Sequence, residues 1–132
     1  MGSAIASRCI RFRAVLHRLK LNPLPLIYKI QIMYYIIQTK DKPHQLETRR
    51  KLESKHRAYL DDNEAMILAA GALLDDRGND IGGGVYIIDV DSRKAADNFI
   101  ANDPFNQADL FAEIAIDRWR KAYFNFANTL GE

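Results

Sequence analysis

Apolar residues recur every two positions in some segments of the chain and every three or four in others. The first spacing predicts strands and the second predicts helices. Tyr34 to Thr39 is aromatic and β-branched and is followed by Asp41-Lys42-Pro43, which predicts a strand and then a loop. From Gln45 to Asn63 apolar residues recur every three or four positions, which predicts a helix. Residues 66–90 contain two apolar runs separated by a polar turn-forming segment, which predicts a β-hairpin. Gly71 interrupts the first run and indicates a bulge or a close backbone approach.

The second half of the domain repeats the order of helix and strand. Arg93 to Ala101 has the apolar spacing of a helix, and Ser92 is a suitable N-cap residue. A strand is predicted from Leu110 to Ile116. The order βαββαβ indicates an α+β, ferredoxin-like fold, an antiparallel four-stranded sheet with both helices on one face. Because both faces of the predicted strands carry apolar residues, and little chain remains to cover the second face, we expect a homodimer that packs sheet to sheet.

The charges divide the chain into a basic leader and an acidic remainder, although the formal net charge is only +2. Residues 1–32 hold six Lys or Arg and no acid, whereas residues 33–132 hold 13 Lys or Arg and 17 Asp or Glu. A nucleic-acid partner is therefore not expected, because binding phosphates requires clustered positive charge on the folded surface. No apolar run reaches the roughly 18–20 residues that a membrane span requires.

The leader, residues 1–32, has three interpretations. It is rich in Arg and free of acids, as organelle presequences are, which would place the protein in an organelle. Alternatively it is a basic arm at a membrane surface, or an incidental extension that is poorly ordered and packs little against the domain. The start of the first strand next to Met33 favours the incidental extension. We then expect a domain at residues 33–125, a tail at residues 126–132 and a cytoplasmic location.

Two polar residues at the ends of helical segments are candidates for acid–base chemistry. His56 lies on the inward stripe of the first helix, Asp103 follows the second helix, and the predicted topology brings these ends together. Each has a structural alternative: a core histidine bonded to a carbonyl, and an Asp that caps a helix beginning at Pro104. Arg49 lies two turns before His56 on the same stripe and is a candidate to bind a substrate carboxylate or enolate. Its charged neighbours favour instead a solvated surface position: Glu47, Arg50 and Lys51.

No cofactor or metal site is predicted. Gly82-Gly83-Gly84 precedes a strand rather than linking a strand to a helix, so it is not a dinucleotide-binding motif. The histidines His17, His44 and His56 lack the spacing of metal ligands. The one cysteine, Cys9, lies in the leader, so the domain has neither an internal disulfide nor a thiolate metal site.

Several segments together resemble the YCII-related family of the dimeric α/β-barrel class, over about residues 33–125. The matching segments are Met33 to Ile37 with Asp41-Lys42-Pro43, Arg49 with His56 to Leu60, Ala70-Gly71, Gly82 to Val90, Ala95-Ala96, Asp103-Pro104-Phe105 and Leu110-Phe111. The resemblance implies that His56 and Asp103 form the active-site pair of a ferredoxin-like subunit. Near the implied pocket, three residues replace those usual in the family: Ala72 a proline, Gly83 a small polar residue and Asp109 a small residue.

The sequence leaves three functions open. The first is a cofactor-independent lyase or isomerase, in which His56 transfers a proton on a small cyclic or carbonyl substrate and Asp103 orients the imidazole. One characterised type of member of the family is a dehydrochlorinase of chlorinated hydroxyquinols. The second is a non-catalytic small-molecule-binding or regulatory module with the same pocket. The third is a cofactor-free oxygenase, as other dimeric α/β-barrel proteins are.

Overall fold

A computed structural model describes residues 32–131 of the 132-residue chain. The predictions about the leader therefore lie outside the described residues, apart from Ile32. Six main elements, a short helix and a terminal hairpin follow in the order β1 (Tyr34–Asp41), α1 (Leu46–Asp62), β2 (Ile67–Leu74), β3 (Asp80–Asp89), α2 (Arg93–Ala101), α3 (Pro104–Gln107), β4 (Phe111–Trp119), β5 (Tyr123–Phe124) and β6 (Ala127–Asn128). A single 3-10 turn, Glu64–Met66, joins α1 to β2. None of the helices in this part of the chain is long and apolar enough to cross a membrane.

The main sheet has the strand order β2-β3-β1-β4, and every neighbouring pair is antiparallel. The predicted ferredoxin-like βαββαβ fold is thus confirmed. Strand β4 extends three residues beyond the predicted end at Ile116, because its last residues pair with the start of β1, where Tyr34 lies opposite Trp119. Helix α2 begins as predicted, since the Ser92 hydroxyl accepts a hydrogen bond from the amide of Ala95 at 3.0 Å.

The two faces of the sheet differ in their cover. Side chains on the face toward α1 and α2 are buried and form the core with residues of α2: Tyr35, Ile37, Tyr86, Ile88, Ala96, Phe99 and Ile100. On the opposite face, which we call the open face, the alternating residues Ile36, Val85 and Ile87 are only partly buried. The apolar residues predicted on both sides of the strands are therefore present, and one side lacks a covering layer in the described chain.

Glycines in β3 permit a close approach of neighbouring strands. A Cβ added at Gly83 would lie 2.5 Å from the carbonyl oxygen of Thr39, and one at Gly84 would lie 3.0 Å from that of Gly71. The first distance is shorter than real Cβ contacts, so Gly83 has to be glycine; at Gly84 a side chain would require the neighbouring strand to shift by a few tenths of an ångström. Strand β2 has register irregularities between Ile67 and Ala69 and between Ala72 and Leu74, whereas Gly71 itself pairs regularly with Val85 and a Cβ there would meet nothing within 4 Å. The bulge or close approach expected at Gly71 was therefore wrong, and the irregularities lie elsewhere in the strand.

The chain continues after β4 into a small hairpin of β5 and β6. Its two turn residues, Asn125 and Phe126, both have positive φ, 52° and 62°, as a type I′ turn requires. The expected boundary between domain and tail, at residues 125 and 126, falls within this turn. The sequence did not reveal the hairpin, because such turns are marked by Asn-Gly and here Phe126 takes the place of the glycine.

Candidate active site

Asp103 is placed by the end of α2 and by the proline that follows it. The residue before a proline avoids helical angles, and Asp103 accordingly has extended backbone angles, φ −61° and ψ 130°. Its carboxylate accepts a hydrogen bond from the amide of Phe105 at 2.8 Å and so caps α3, which begins at Pro104. The capping role expected from the sequence is present. This capping hydrogen bond leaves both oxygens of the Asp103 carboxylate able to accept further hydrogen bonds, although the residue is fully buried.

Two side chains from other elements complete the surroundings of Asp103. The Nδ1 atom of His56 lies 3.0 Å from each of the two carboxylate oxygens. The hydroxyl of Tyr86 on β3 donates to Oδ2, also at 3.0 Å. The structure therefore brings together the two residues that the sequence paired, 47 positions apart. Three donors around one buried carboxyl group match an ionised carboxylate, which accepts hydrogen bonds and donates none.

The imidazole of His56 has one nitrogen engaged and one available. With Nδ1–H donated to Asp103, the neutral ring carries its lone pair on Nε2, an assignment that follows from the hydrogen-bond partners. Nε2 makes no hydrogen bond to residues 32–131. The ring stacks on Phe105 with centroids 4.1 Å apart and an interplanar angle of 17°. The side chain is 14% exposed, so His56 is neither sealed in the core nor free on the surface.

Tyr86 was not singled out from the sequence. Burial raises the pKa of its hydroxyl far above the usual range, and the charge of Asp103 adds to this effect. The hydroxyl therefore stays protonated and remains a donor to the carboxylate. A signal was present: the alternation of β3 places Tyr86 on the same buried face as Ile88, and a buried tyrosine hydroxyl usually has a hydrogen-bond partner.

Arg49 is buried, with 9% of its surface exposed, so the surface position favoured by its sequence neighbours was wrong. Its Nη2 donates to the carbonyl of Gly83 at 2.9 Å, and its Nε lies 3.4 Å from Oδ2 of Asp41. The guanidinium carbon lies 4.5 Å from the centre of the Phe105 ring. The side chain thus lies against β3, with Nη2 beside Gly84, where an added Cβ would be in ordinary contact at 3.7 Å.

Asp41, at the end of β1, is a second buried carboxyl group that the sequence did not indicate. Neither of its oxygens has a hydrogen-bond partner in the described part of the chain, and it faces Arg49 as an ion pair. Burial raises the pKa of Asp41, Arg49 opposes the rise, and the charge of Asp80 adds to it. The polar groups of this end of the sheet thus form a pair that is charge-matched but incompletely hydrogen-bonded.

His56, Tyr86 and Arg49 border one cavity of about 270 Å³ between α1 and the ends of β2 and β3. Its polar border includes His56 and Arg49, and its apolar border consists of Leu46, Leu60, Ala70, Ala72, Tyr86 and Phe105. An apolar protein cavity of about 150 Å³ is enough to hold benzene, so this one accommodates a single substituted ring. Within residues 32–131, His, Cys, Asp and Glu form no group of three or more that could hold a metal ion.

Comparisons with known proteins give both relatives and solved structures. An uncharacterized protein of Haemophilus influenzae (strain ATCC 51907 / DSM 11121 / KW20 / Rd) is 30% identical over 98 residues, which cover 69% of this chain and 100% of the relative. The structure of 5-chloro-2-hydroxyhydroquinone dehydrochlorinase from Burkholderia phenoliruptrix AC1100, in complex with 2,5-dihydroxybenzoquinone, is 34% identical with a TM-score of 0.61. That alignment covers 67% of this chain and 94% of the dehydrochlorinase.

A third comparison gives a solved structure of lower similarity. The structure of an antibiotic biosynthesis monooxygenase aligns with 67% of this chain and 96% of its own, at 20% identity and a TM-score of 0.43. The fold is that of the dimeric α/β-barrel proteins, as the similarity to the dehydrochlorinase shows. The sequence model of the YCII-related domain matches residues 33–120, which include every residue of the site described above. The chain belongs to the YCII-related domain family.

Proposed function

We propose that the protein is a cofactor-independent lyase or isomerase that acts on a small ring-sized substrate through His56 and Asp103. The observation that carries the proposal is the fixed imidazole: Nδ1 is held by a carboxylate with two further donors, while Nε2 is left without a partner among residues 32–131, on a side chain that borders the cavity. A histidine held in this way by a buried carboxylate is an effective general base, because its tautomer and orientation are set in advance.

The chemistry follows from the available nitrogen. Nε2 of His56 takes a proton from a substrate atom next to a carbonyl, and the electron pair of the broken bond forms an enolate or a new double bond. In a lyase reaction a leaving group then departs with its own electron pair. In an isomerase reaction the imidazolium returns the proton to a different atom. Asp103 stays ionised and stabilises the imidazolium, and Arg49 binds the substrate beside it.

The structurally similar dehydrochlorinase supports the lyase reaction. It is 34% identical, and its structure was solved in complex with 2,5-dihydroxybenzoquinone, a single-ring compound. A ring of that size matches the volume of the cavity of this chain. Ala72 and Gly84 border the same cavity, and Ala72 departs from the proline usual in the family, so a panel of related ring compounds is the appropriate substrate screen.

The test compares two matched substitutions, His56→Asn and His44→Asn. An asparagine at position 56 retains an N–H that can reach Asp103 but cannot exchange protons near neutral pH. His44 is an exposed histidine outside the cavity and has a positive φ of 61°, which asparagine tolerates. Wild type and variants are assayed for chloride release from 5-chloro-2-hydroxyhydroquinone and for turnover of the ring panel.

We expect His56→Asn to lose at least about 100-fold in rate, the lower end of what general acid–base catalysis contributes, while His44→Asn retains full activity. Full activity in His56→Asn would refute the proposal. Binding of a ring compound without any turnover by the wild type would instead identify a small-molecule-binding module, the second function that the sequence left open.

We further infer that the protein is a homodimer in which the open faces of two sheets pack together. Ile36, Val85 and Ile87 lie on that face and are partly exposed in the single chain. A sheet with apolar residues on both faces requires cover on both, and a second copy supplies it symmetrically. The cavity lies on the other side of the sheet, between α1 and the strands, so each subunit would retain its own site.

A further inference from the structure

We propose that the cavity recognises an anionic oxygen of its ligand through Arg49, so that the substrate class is a single ring bearing a carboxylate, enolate or phenolate. This inference rests on the proposed function, because it names the substrate class for the same cavity. It is carried by the hydrogen-bonding state of Arg49, by the groups that fix its plane and by the charges around the cavity.

The guanidinium of Arg49 has more N–H donors than the surrounding residues offer acceptors. It carries five N–H groups. One from Nη2 is used by the carbonyl of Gly83, and Nε faces Asp41 at 3.4 Å, too far for a strong hydrogen bond. Nη1 is buried and has no acceptor in the described part of the chain. Nη1 is too deeply buried for a ligand in the cavity to reach it. Nη2 keeps a second N–H and lies beside Gly84, another residue of the cavity border, so a ligand oxygen can accept a hydrogen bond from Nη2.

The plane of the guanidinium is held in place before a ligand binds. The carbonyl of Gly83 fixes one nitrogen, and the Phe105 ring lies 4.5 Å from the guanidinium carbon. A planar cation whose orientation is fixed suits the planar arrangement of a carboxylate or of an oxygen on a ring. Phe105 also stacks on the imidazole of His56, so the anion-binding group and the acid–base group contact the same ring. A ligand held at Arg49 therefore lies in the cavity that His56 also borders.

The charges that border the cavity favour an anion. Three arginines border it, of which Arg57 is paired with Glu53 at 2.7 Å. Arg50 has no acidic partner among residues 32–131, and Asp80 is the other acid of the border. Asp41 compensates Arg49 only in part, since burial favours its protonated form and its oxygens accept no hydrogen bond from the described residues.

The experiment uses two probes of nearly equal shape, benzoate and benzamide, which differ in charge. Their affinities for the full-length protein are measured by isothermal titration calorimetry. We expect benzoate to bind at least roughly tenfold more tightly than benzamide, the ratio expected from one charge-assisted hydrogen bond. Arg49→Gln should abolish this preference. Arg93→Gln, which removes the same charge from an exposed arginine paired with Asp97 on α2, should preserve it.

Because Arg49→Gln leaves Asp41 buried without its counter-ion, the double variant Arg49→Gln/Asp41→Asn provides a second test in which neither charge remains. Equal affinities of the two probes in the wild type would overturn the proposal, as would failure of benzoate to bind at millimolar concentration. Loss of the preference in Arg50→Gln with retention in Arg49→Gln would also overturn it. His56→Asn separates the two claims: the preference for benzoate should survive this substitution although turnover does not.

Discussion

Removing the hydroxyl of Tyr86 measures how strongly the buried carboxylate depends on its donors. Tyr86→Phe deletes one oxygen and leaves the ring packed edge-on against Phe99, with centroids 5.8 Å apart. The lost hydrogen bond, 3.0 Å long, is made to a fully buried charged group, and such bonds contribute about 1.5–3 kcal/mol. At roughly 4–8 °C per kcal/mol for a domain of this size, the midpoint of thermal unfolding should fall by on the order of 10 °C.

Tyr59→Phe is the matched control, because Tyr59 contacts the same Phe99 ring but donates its hydroxyl to the neutral backbone carbonyl of Phe99 at 2.6 Å. A neutral, partly buried hydrogen bond contributes about 0.5–1.5 kcal/mol, so this variant should lose less stability. The assays are thermal and urea unfolding at one fixed protein concentration, since association would make the midpoint concentration-dependent. Equal losses in the two variants, or no loss in Tyr86→Phe, would refute the reasoning that Asp103 is held ionised by its three donors.

Two further predictions concern the subunit interface and Asp41. Light scattering at micromolar concentration should give twice the chain mass of 15.1 kDa, and Ile87→Lys on the open face should give the monomer; a monomeric wild type would contradict the homodimer. Burial raises the pKa of Asp41 above 3.8, so from about that pH upward the folded state retains a proton that the unfolded state has lost. The free energy of unfolding of the wild type, measured by urea unfolding, should therefore fall relative to that of Asp41→Asn as the pH rises from about 3.8 through the raised pKa of Asp41 in the folded state. A relative gain would contradict the assigned direction.

The sequence predicted the parts of the site that follow from periodicity. The apolar stripe of α1 turned His56 toward the sheet, and Pro104 kept Asp103 out of helical angles just beyond the end of α2, so the contact between His56 and Asp103 followed from the topology. These features depend on neighbours in sequence and on the order of the elements. The pattern of residues along the chain is therefore sufficient to predict them.

Other parts depend on contacts between strands distant in sequence and were missed or misjudged. Arg49 was expected at the surface because its neighbours in α1 are charged, but its side chain is buried and donates to the carbonyl of Gly83 on β3. Asp41 is a buried carboxylate that lies beside the same guanidinium, and this contact joins β1 to α1. The turn at Asn125 and Phe126 contains no glycine, so the sequence lacks the motif by which such a hairpin is usually recognised.

The glycines of β3 also restrict how the cavity can diversify. Gly84 borders the cavity, and a Cβ at this position would lie only 3.0 Å from the carbonyl oxygen of Gly71, which borders it as well. That wall is therefore main chain, and point mutation can alter its chemistry very little. Changes in the size of ligand that the cavity accepts, whether by natural drift or in a directed-evolution library, can come from the aliphatic side chains that border it on α1 and β2: Leu46, Leu60, Ala70 and Ala72. Alanines at two of these four positions leave room for larger residues, so the simplest evolutionary route leads toward smaller ligands.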